Sequence, residues 1–260
     1  MKRICIFGAG AIGGYLAAAL DNAGAAVSLV ARGPHLEAIL KNGLSFEKDG
    51  VTSTHHLPAS NDPVDLGLQD VVFLAVKAHG IPRIIDSLKP LMHDDTIIVP
   101  AVNGLPWWYF HGAGTGTELD EQPLLAVDPD RRIWDEIGPQ RAIGCVVYPA
   151  CEIAAPGHVR HLNGDRFSLG EPSGERTDRI RDLSDLMITG GLKAPVRPRI
   201  RDEIWIKLWG NCSFNPVSAL TGATLDEIGN DPGSRQLIKD IMTEVQAIGE
   251  AAGARFGGSI

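Results

Sequence analysis

Apolar residues follow two rhythms along this chain. Through the first half, short apolar runs alternate with stretches of helical spacing, a pattern that predicts parallel strands joined by helices. Ile4 to Phe7 reads as a buried strand, about Ala11 to Ala23 as a helix and Ala25 to Val30 as a second strand. Pro34 to Asn42 predicts a helix closed by Gly43, and Leu44 to Leu57 a fairly polar strand pair. Asp70 to Val76 is an apolar strand with Lys77 at its end; Pro82 to Leu91 reads as a helix and Thr96 to Pro100 as a strand running into Val102-Asn103-Gly104. Ala142 to Tyr148 is a further strand. Val159 to Leu162 and Arg166 to Leu169, around Asn163-Gly164, predict a β-hairpin. Asp178 to Met187 reads as a helix and Pro195 to Ile200 as extended chain. From Asp202 the spacing is helical almost throughout: Asp202 to Asn215, Leu225 to Gly229, and Ser234 to Ala252 with Gly253 as its stop. Residues 105–140 are the least regular, rich in Gly, Pro and charge, yet they hold Trp107-Trp108-Tyr109-Phe110. The expected fold class is α/β: a Rossmann-type dinucleotide-binding domain over residues 1–198, then a smaller all-helical domain over 199–260.

The first strand and helix enclose Gly8-x-Gly10-x-x-Gly13. Gly8 permits a tight turn, Gly10 lets backbone approach a pyrophosphate, and Gly13 allows close packing of helix on strand. The N–H groups of the first turn, from Ala11 and Ile12 to Gly13, and the positive end of the helix dipole face that pyrophosphate. A free ribose 2′-hydroxyl is usually met by Asp or Glu at the end of the second strand. This chain has Arg32 there, a fork suited to a 2′-phosphate, so NADP(H) is the expected cofactor. The same N-terminal run superficially resembles a secretory signal peptide, but its glycines and its passage into a second strand argue against one.

Composition narrows the classes. The 260 residues are 44% hydrophobic and 22% charged, ordinary for a soluble protein, and no long unbroken apolar stretch predicts a membrane span. A formal charge of −8 leaves no footprint for nucleic acid, so an anionic ligand must be held by local cations. Cys5, Cys145, Cys151 and Cys212 are scattered without a CxxC, which fits a reducing cytoplasm and argues against disulfides or structural zinc. His158-x-x-His161 lacks a partner carboxylate and reads as surface strand chemistry, so no metal is expected.

A second constellation lies in the predicted helix after residue 202. Lys207, Asn211 and Asn215 recur every fourth residue, making one polar stripe roughly 80° wide. Trp205, Leu208, Trp209 and Cys212 flank it. A ligand bearing a carbonyl, a hydroxyl and a carboxylate would partner a cation and two amides. Taken alone, the stripe reads equally as a lysine snorkelling to solvent beside loop-bonded asparagines.

Together, Gly8-x-Gly10-x-x-Gly13, Arg32, Val76-Lys77, Val102-Asn103-Gly104 and Lys207-x-x-x-Asn211-x-x-x-Asn215-Pro216 resemble the ketopantoate reductase family, the NADPH-dependent 2-dehydropantoate 2-reductases. The resemblance runs from Met1 to about Gly253. It implies an active site between the two domains, a small 2-keto acid as substrate, and Lys207 as general acid. It further implies that Asn211 and Asn215 hold the substrate's hydroxyl and carboxylate, that Asn103 contacts both substrate and the nicotinamide side, and that Lys77 contacts the cofactor near its adenosine half. A homodimer is compatible with it; nucleic-acid and membrane partners are not expected. Another, bulkier 2-keto acid or a non-catalytic NADP(H) sensor would use the same fold, though a sensor needs no proton donor.

Two features depart from the family's pattern. Its members carry a Ser and a Glu in a later helix–loop stretch; in the sequence ending at Gly257-Gly258-Ser259-Ile260 neither can be assigned, which reads as a truncated helical domain or a divergent tail. Residues 105–140 also look longer than usual. Because they leave from Asn103-Gly104, at least one of Trp107, Trp108 and Tyr109 is expected to face the cleft.

Overall fold

The computed structural model describes residues 2–258. Strand β1 (Arg3–Phe7) leads through α1 (Ala11–Asn22) to β2 (Ala26–Val30), and α2 (Gly33–Asn42) leads to the hairpin β3 (Leu44–Lys48) and β4 (Val51–His55). The two-residue β5 (Ala59–Ser60), β6 (Gln69–Leu74), the one-turn α3 (Ile85–Leu88) and β7 (Met92–Pro100) follow. A parallel sheet results, in the order β5-β2-β1-β6-β7.

Both faces of this sheet are dry, and the period-2 alternation sorts side chains between them. Ile4, Ile6, Val71, Phe73, Ile97 and Val99 enter one core, while Cys5, Phe7, Val72, Leu74 and Ile98 enter the other. Each fully buried aliphatic or phenyl side chain contributes about 1.5–3 kcal/mol.

Helix α1 fills the first core. Every residue from Gly13 to Leu20 is buried, because a second sheet, ordered β4-β3-β10-β9, lies across its other side. Here β9 is Ala150–Ala155 and β10 is His158–Asn163. Tyr15 stacks on Phe46 of β3 at 5.0 Å, and a Cβ at Gly14 would come within 2.7 Å of Val159. A helix buried all round must be apolar all round. That accounts for the signal-like composition of the N-terminal run.

The second core is covered by less regular chain. Ile81, Ile85, Leu88 and Leu91 point into it with helical spacing, but Pro82 and Pro90 break the ladder. The helix expected over Pro82 to Leu91 is therefore two 3-10 segments around the single turn α3. Trp107, Trp108, Ile133 and Ile137 from the irregular 105–140 segment complete the layer.

The predicted hairpin of Val159 to Leu162 with Arg166 to Leu169 does not form. β10 pairs antiparallel with β9 through Pro156-Gly157, whose glycine takes φ +74°, and parallel with β3. β11 (Phe167–Gly170) instead pairs antiparallel with β8 (Gly144–Val147), so Arg166 lies across from Tyr148. The extended Pro195 to Ile200 segment is recovered in part as a bridge between Val196 and Leu169.

After α4 (Asp178–Thr189) the chain is helical: α5 (Ile200–Thr221), α6 (Leu225–Asn230) and α7 (Pro232–Ala251). α5 passes through Pro216 rather than ending at Asn215, the stop that its spacing predicts. Its first turns are not free of the sheet, since Ile200 and Ile204 are buried in the second core with Trp107 and Trp108. Further along, Trp209 Nε1 donates to the Met242 carbonyl of α7 at 2.7 Å. Among the described residues, no helix is long and apolar enough to cross a membrane.

Candidate active site

The glycine turn between β1 and α1 divides its labour as the spacing predicts. Gly8 has φ +103°, and a Cβ there would meet the Ala75 carbonyl at 2.9 Å. A Cβ on Gly13 would lie 2.0 Å from the Gly8 carbonyl oxygen, so helix and strand touch here only because Gly13 has no side chain. Gly10, at the N-cap of α1, faces open space with nothing within 4 Å. No side chain caps α1, which leaves the N–H groups of Ala11, Ile12 and Gly13 for a ligand. A pyrophosphate therefore fits this cradle, held by backbone amides and the helix dipole.

His35, which no sequence motif singles out, steadies the turn. The Gly157 amide donates to Nδ1 at 2.9 Å, so Nε2 carries the proton and donates to the Ala9 carbonyl at 2.7 Å. Arg32 is the exposed N-cap of α2, at the end of β2, and makes no capping bond. Lys77 is exposed just past β6, and Asn103 is exposed past β7. All these residues sit at the carboxyl ends of parallel strands. Strand order reverses between β1 and β6, the usual place for a ligand crevice in such a sheet.

Beside it opens a shallow cleft. Pro100, Asn103 and Gly104 come from the β7 end, Val146 and Val147 from β8, and Lys207 and Asn211 from α5. Burying Ile200 and Ile204 in the second core fixes the start of α5, and its next turns bring Lys207 and Asn211 to the same cleft as Asn103. Trp108 borders the same cleft, but it is fully buried in the second core and exposes no face to it, so the expectation of an aromatic facing the cleft is met only as far as that border. Trp107 is core, and Tyr109 and Phe110 pack instead with Trp205 and Ala254; the Tyr109 hydroxyl accepts from Trp205 Nε1 at 2.7 Å and donates to the Ala252 carbonyl. Asn215 is not brought in: it is exposed, one turn beyond Asn211.

Lys207 Nζ lies 4.9 Å from the centroid of the Tyr148 ring. Burial first, and then the Arg166 guanidinium, hold its ammonium below the ordinary lysine range. The Tyr148 hydroxyl donates to Glu203 Oε2 at 3.4 Å, and the same surroundings raise its own pKa, burial first and the Glu203 charge next. Glu203 is legible in the sequence, being one helical turn before Lys207 on the same stripe. Tyr148 and Arg166 are not, because they meet only through the pairing of β8 with β11.

The model of the family "Ketopantoate reductase PanE/ApbA" matches residues 4–174, and that of "Ketopantoate reductase PanE/ApbA C terminal" matches 199–259. A 2-dehydropantoate 2-reductase from Mesorhizobium japonicum is 56% identical over 255 residues, 98% of this chain and 78% of that relative. A solved chain from Ralstonia solanacearum MolK2 superposes with a TM-score of 0.94 at 43% identity, covering 100% of this chain and 80% of the other. A 2-dehydropantoate 2-reductase from Geobacter metallireducens GS-15 gives a TM-score of 0.83 at 28% identity, with 99% and 78% covered.

Proposed function

The chain belongs to the ketopantoate reductase family, and we propose that it reduces 2-dehydropantoate to pantoate with NADPH. The observation that carries this reading is the convergence of Lys207, Asn211 and Asn103 on one cleft beside the open glycine cradle. In this reading residues 1–198 bind the dinucleotide and residues 199–260 bring the catalytic helix face.

When bound, the reduced nicotinamide supplies a hydride to the ketone carbon. The Lys207 ammonium donates a proton to the ketone oxygen and is left as a neutral amine, to be reprotonated from solvent. Asn103 positions the ketone against the cofactor side of the cleft, and Asn211 holds the substrate's hydroxyl. Gly8, Gly10, Ala11, Ile12 and Gly13 hold the pyrophosphate, Arg32 the 2′-phosphate and Lys77 the adenosine side. Four unpaired cysteines suit the reducing cytoplasm we assign to it.

The direct test is NADPH oxidation against a panel of 2-keto acids. 2-Dehydropantoate is expected to give the highest kcat/KM, and a clear preference for another keto acid would replace it as substrate.

Arg32→Ala tests the cofactor. It should remove a charge-assisted contact worth about 1.5–3 kcal/mol to NADPH while leaving NADH affinity nearly unchanged. Equal affinities for the two cofactors in the unaltered protein would refute the 2′-phosphate role.

The lowered pKa of Lys207 sets the alkaline limb. A general acid works only while protonated, so the rate falls as pH rises through its pKa. Because burial and Arg166 depress that pKa, the fall is expected at a pH below the ordinary lysine range. A pH profile of kcat/KM that stays flat until that range would show another group to be the acid.

A further inference from the structure

Beside Lys207 stands a second cation without a counter-charge. Arg166 enters β11 opposite Tyr148, whose backbone N–H donates to the Arg166 carbonyl at 3.1 Å. The Arg166 guanidinium carbon lies 3.8 Å from the centroid of the Tyr148 ring, the same ring that Lys207 approaches. The nearby carboxylates are engaged elsewhere: Glu203 pairs with Arg197 at 2.5 Å, and Asp165 pairs with Lys193 at 3.1 Å. Among the described residues, neither Arg166 nor Lys207 has a carboxylate within ion-pairing distance.

Two partly buried cations sharing one aromatic ring repel each other, and each loses hydration with no partner to replace it. An anion held by Arg166 on the side of Lys207 would relieve both. We propose that Arg166 binds the carboxylate of the substrate, with Tyr148 as the spacer that fixes its distance from the proton donor. This rests on the keto-acid reading given above.

The chemistry of a 2-keto acid agrees with the arrangement. Its carboxylate is on the carbon next to the ketone, so the group that reads it must stand beside the proton donor rather than coincide with it. A guanidinium takes both carboxylate oxygens at once, and stacking on Tyr148 restricts the plane of the fork. The formal charge of −8 works against long-range capture of an anion, which puts the burden on such a local cation. The charged and titratable groups facing the pair are Tyr148 from the end of β8, Glu203 from α5, and Arg197 behind Glu203.

The experiment compares a 2-keto acid with its uncharged methyl ester as substrates for the unaltered protein, Arg166→Met and Arg166→Lys. In Arg166→Met, kcat/KM for the acid is expected to fall about 10- to 100-fold, mainly through KM, the size of a lost charge-assisted contact. For the ester the change should stay within about threefold, since no carboxylate is read. Arg166→Lys should recover part of the loss for the acid, and NADPH affinity should hold in both variants. Equal losses for acid and ester, or an unimpaired acid reaction in Arg166→Met, would overturn the assignment. Should Arg166→Met fail to fold, inhibition by the 2-hydroxy acid is compared with that by its methyl ester, in the unaltered protein and in Arg166→Lys. The acid must bind about 10-fold more tightly or better, and Arg166→Lys must narrow that gap; no gap, or an unchanged one, overturns the proposal. An unaltered protein that reduces no 2-keto acid would bring down the reading above and this assignment with it.

Discussion

Lys207→Ala is expected to cut turnover by about 10²–10⁴, the usual worth of a positioned general acid, while dinucleotide binding persists. The separation follows from position. Lys207 projects from α5 into the cleft and holds no ion pair that the fold depends on, whereas the glycine cradle belongs to β1 and α1. The side chain is half-buried beside the Tyr148 ring, so truncation also removes some packing, and a modest drop in Tm should accompany the loss of rate. Single-turnover kinetics at saturating substrate separate the effects, because loss of a proton donor slows the chemical step itself. Near-normal turnover in Lys207→Ala would show that another group is the acid. Complete loss of cofactor binding would show that the residue supports the fold instead.

Two substitutions in the glycine turn should have opposite consequences. Gly13→Ala places a Cβ 2.0 Å from the Gly8 carbonyl oxygen and 3.0 Å from an Ile6 methyl. Neither backbone can yield without lifting α1 off β1, so destabilisation of about 1–3 kcal/mol or more is expected, with loss of dinucleotide binding. Gly10→Ala meets nothing within 4 Å and keeps an ordinary φ of −68°, so the fold should melt nearly unchanged. Its methyl nevertheless projects into the space the pyrophosphate needs, and affinity should drop about 10-fold or more. Thermal melts and cofactor titrations on both variants decide the matter. A destabilised Gly10→Ala, or a Gly13→Ala that melts and binds normally, would contradict the roles given to the two glycines.

The parts legible in the sequence are those whose signal is local. Ile4 to Phe7, Asp70 to Leu74 and Thr96 to Pro100 are apolar because both faces of their sheet are covered, and they read directly as strands. Gly8 and Gly13 each answer a short-range steric demand within the fold, which is why their places follow from spacing alone, while Gly10 leaves open space at the helix start. Pairing over long separations leaves no such trace. Asn163-Gly164 is a strong hairpin signal, yet Pro156-Gly157 makes the turn. The strand before it, β9, is an exposed edge with no apolar alternation to announce it. Closing the hairpin at Asn163-Gly164 separates Arg166 from Tyr148, and it conceals the charged surroundings of Lys207. Residues 105–140 are opaque for a different reason. Their apolar side chains serve as a lid on a sheet face, and a lid needs no regular period.

Pro216 divides the hydrogen-bond ladder of α5 into two lengths. Without an N–H at that residue, the Cys212 carbonyl has no helical partner, so the ladder is interrupted just beyond Asn211. Before the gap, Ile200, Ile204, Lys207 and Asn211 ride on the sheet as a rigid cantilever rooted in its core. Both lengths meet α7, Trp209 through the Met242 carbonyl and Val217 through Ile238, while Asn215 beside the proline is exposed. The outer amide thus stands beside the interruption, while the proton donor sits on uninterrupted helix. The stripe that looks continuous along one helix is a rooted part that meets the cleft and an exposed end that does not.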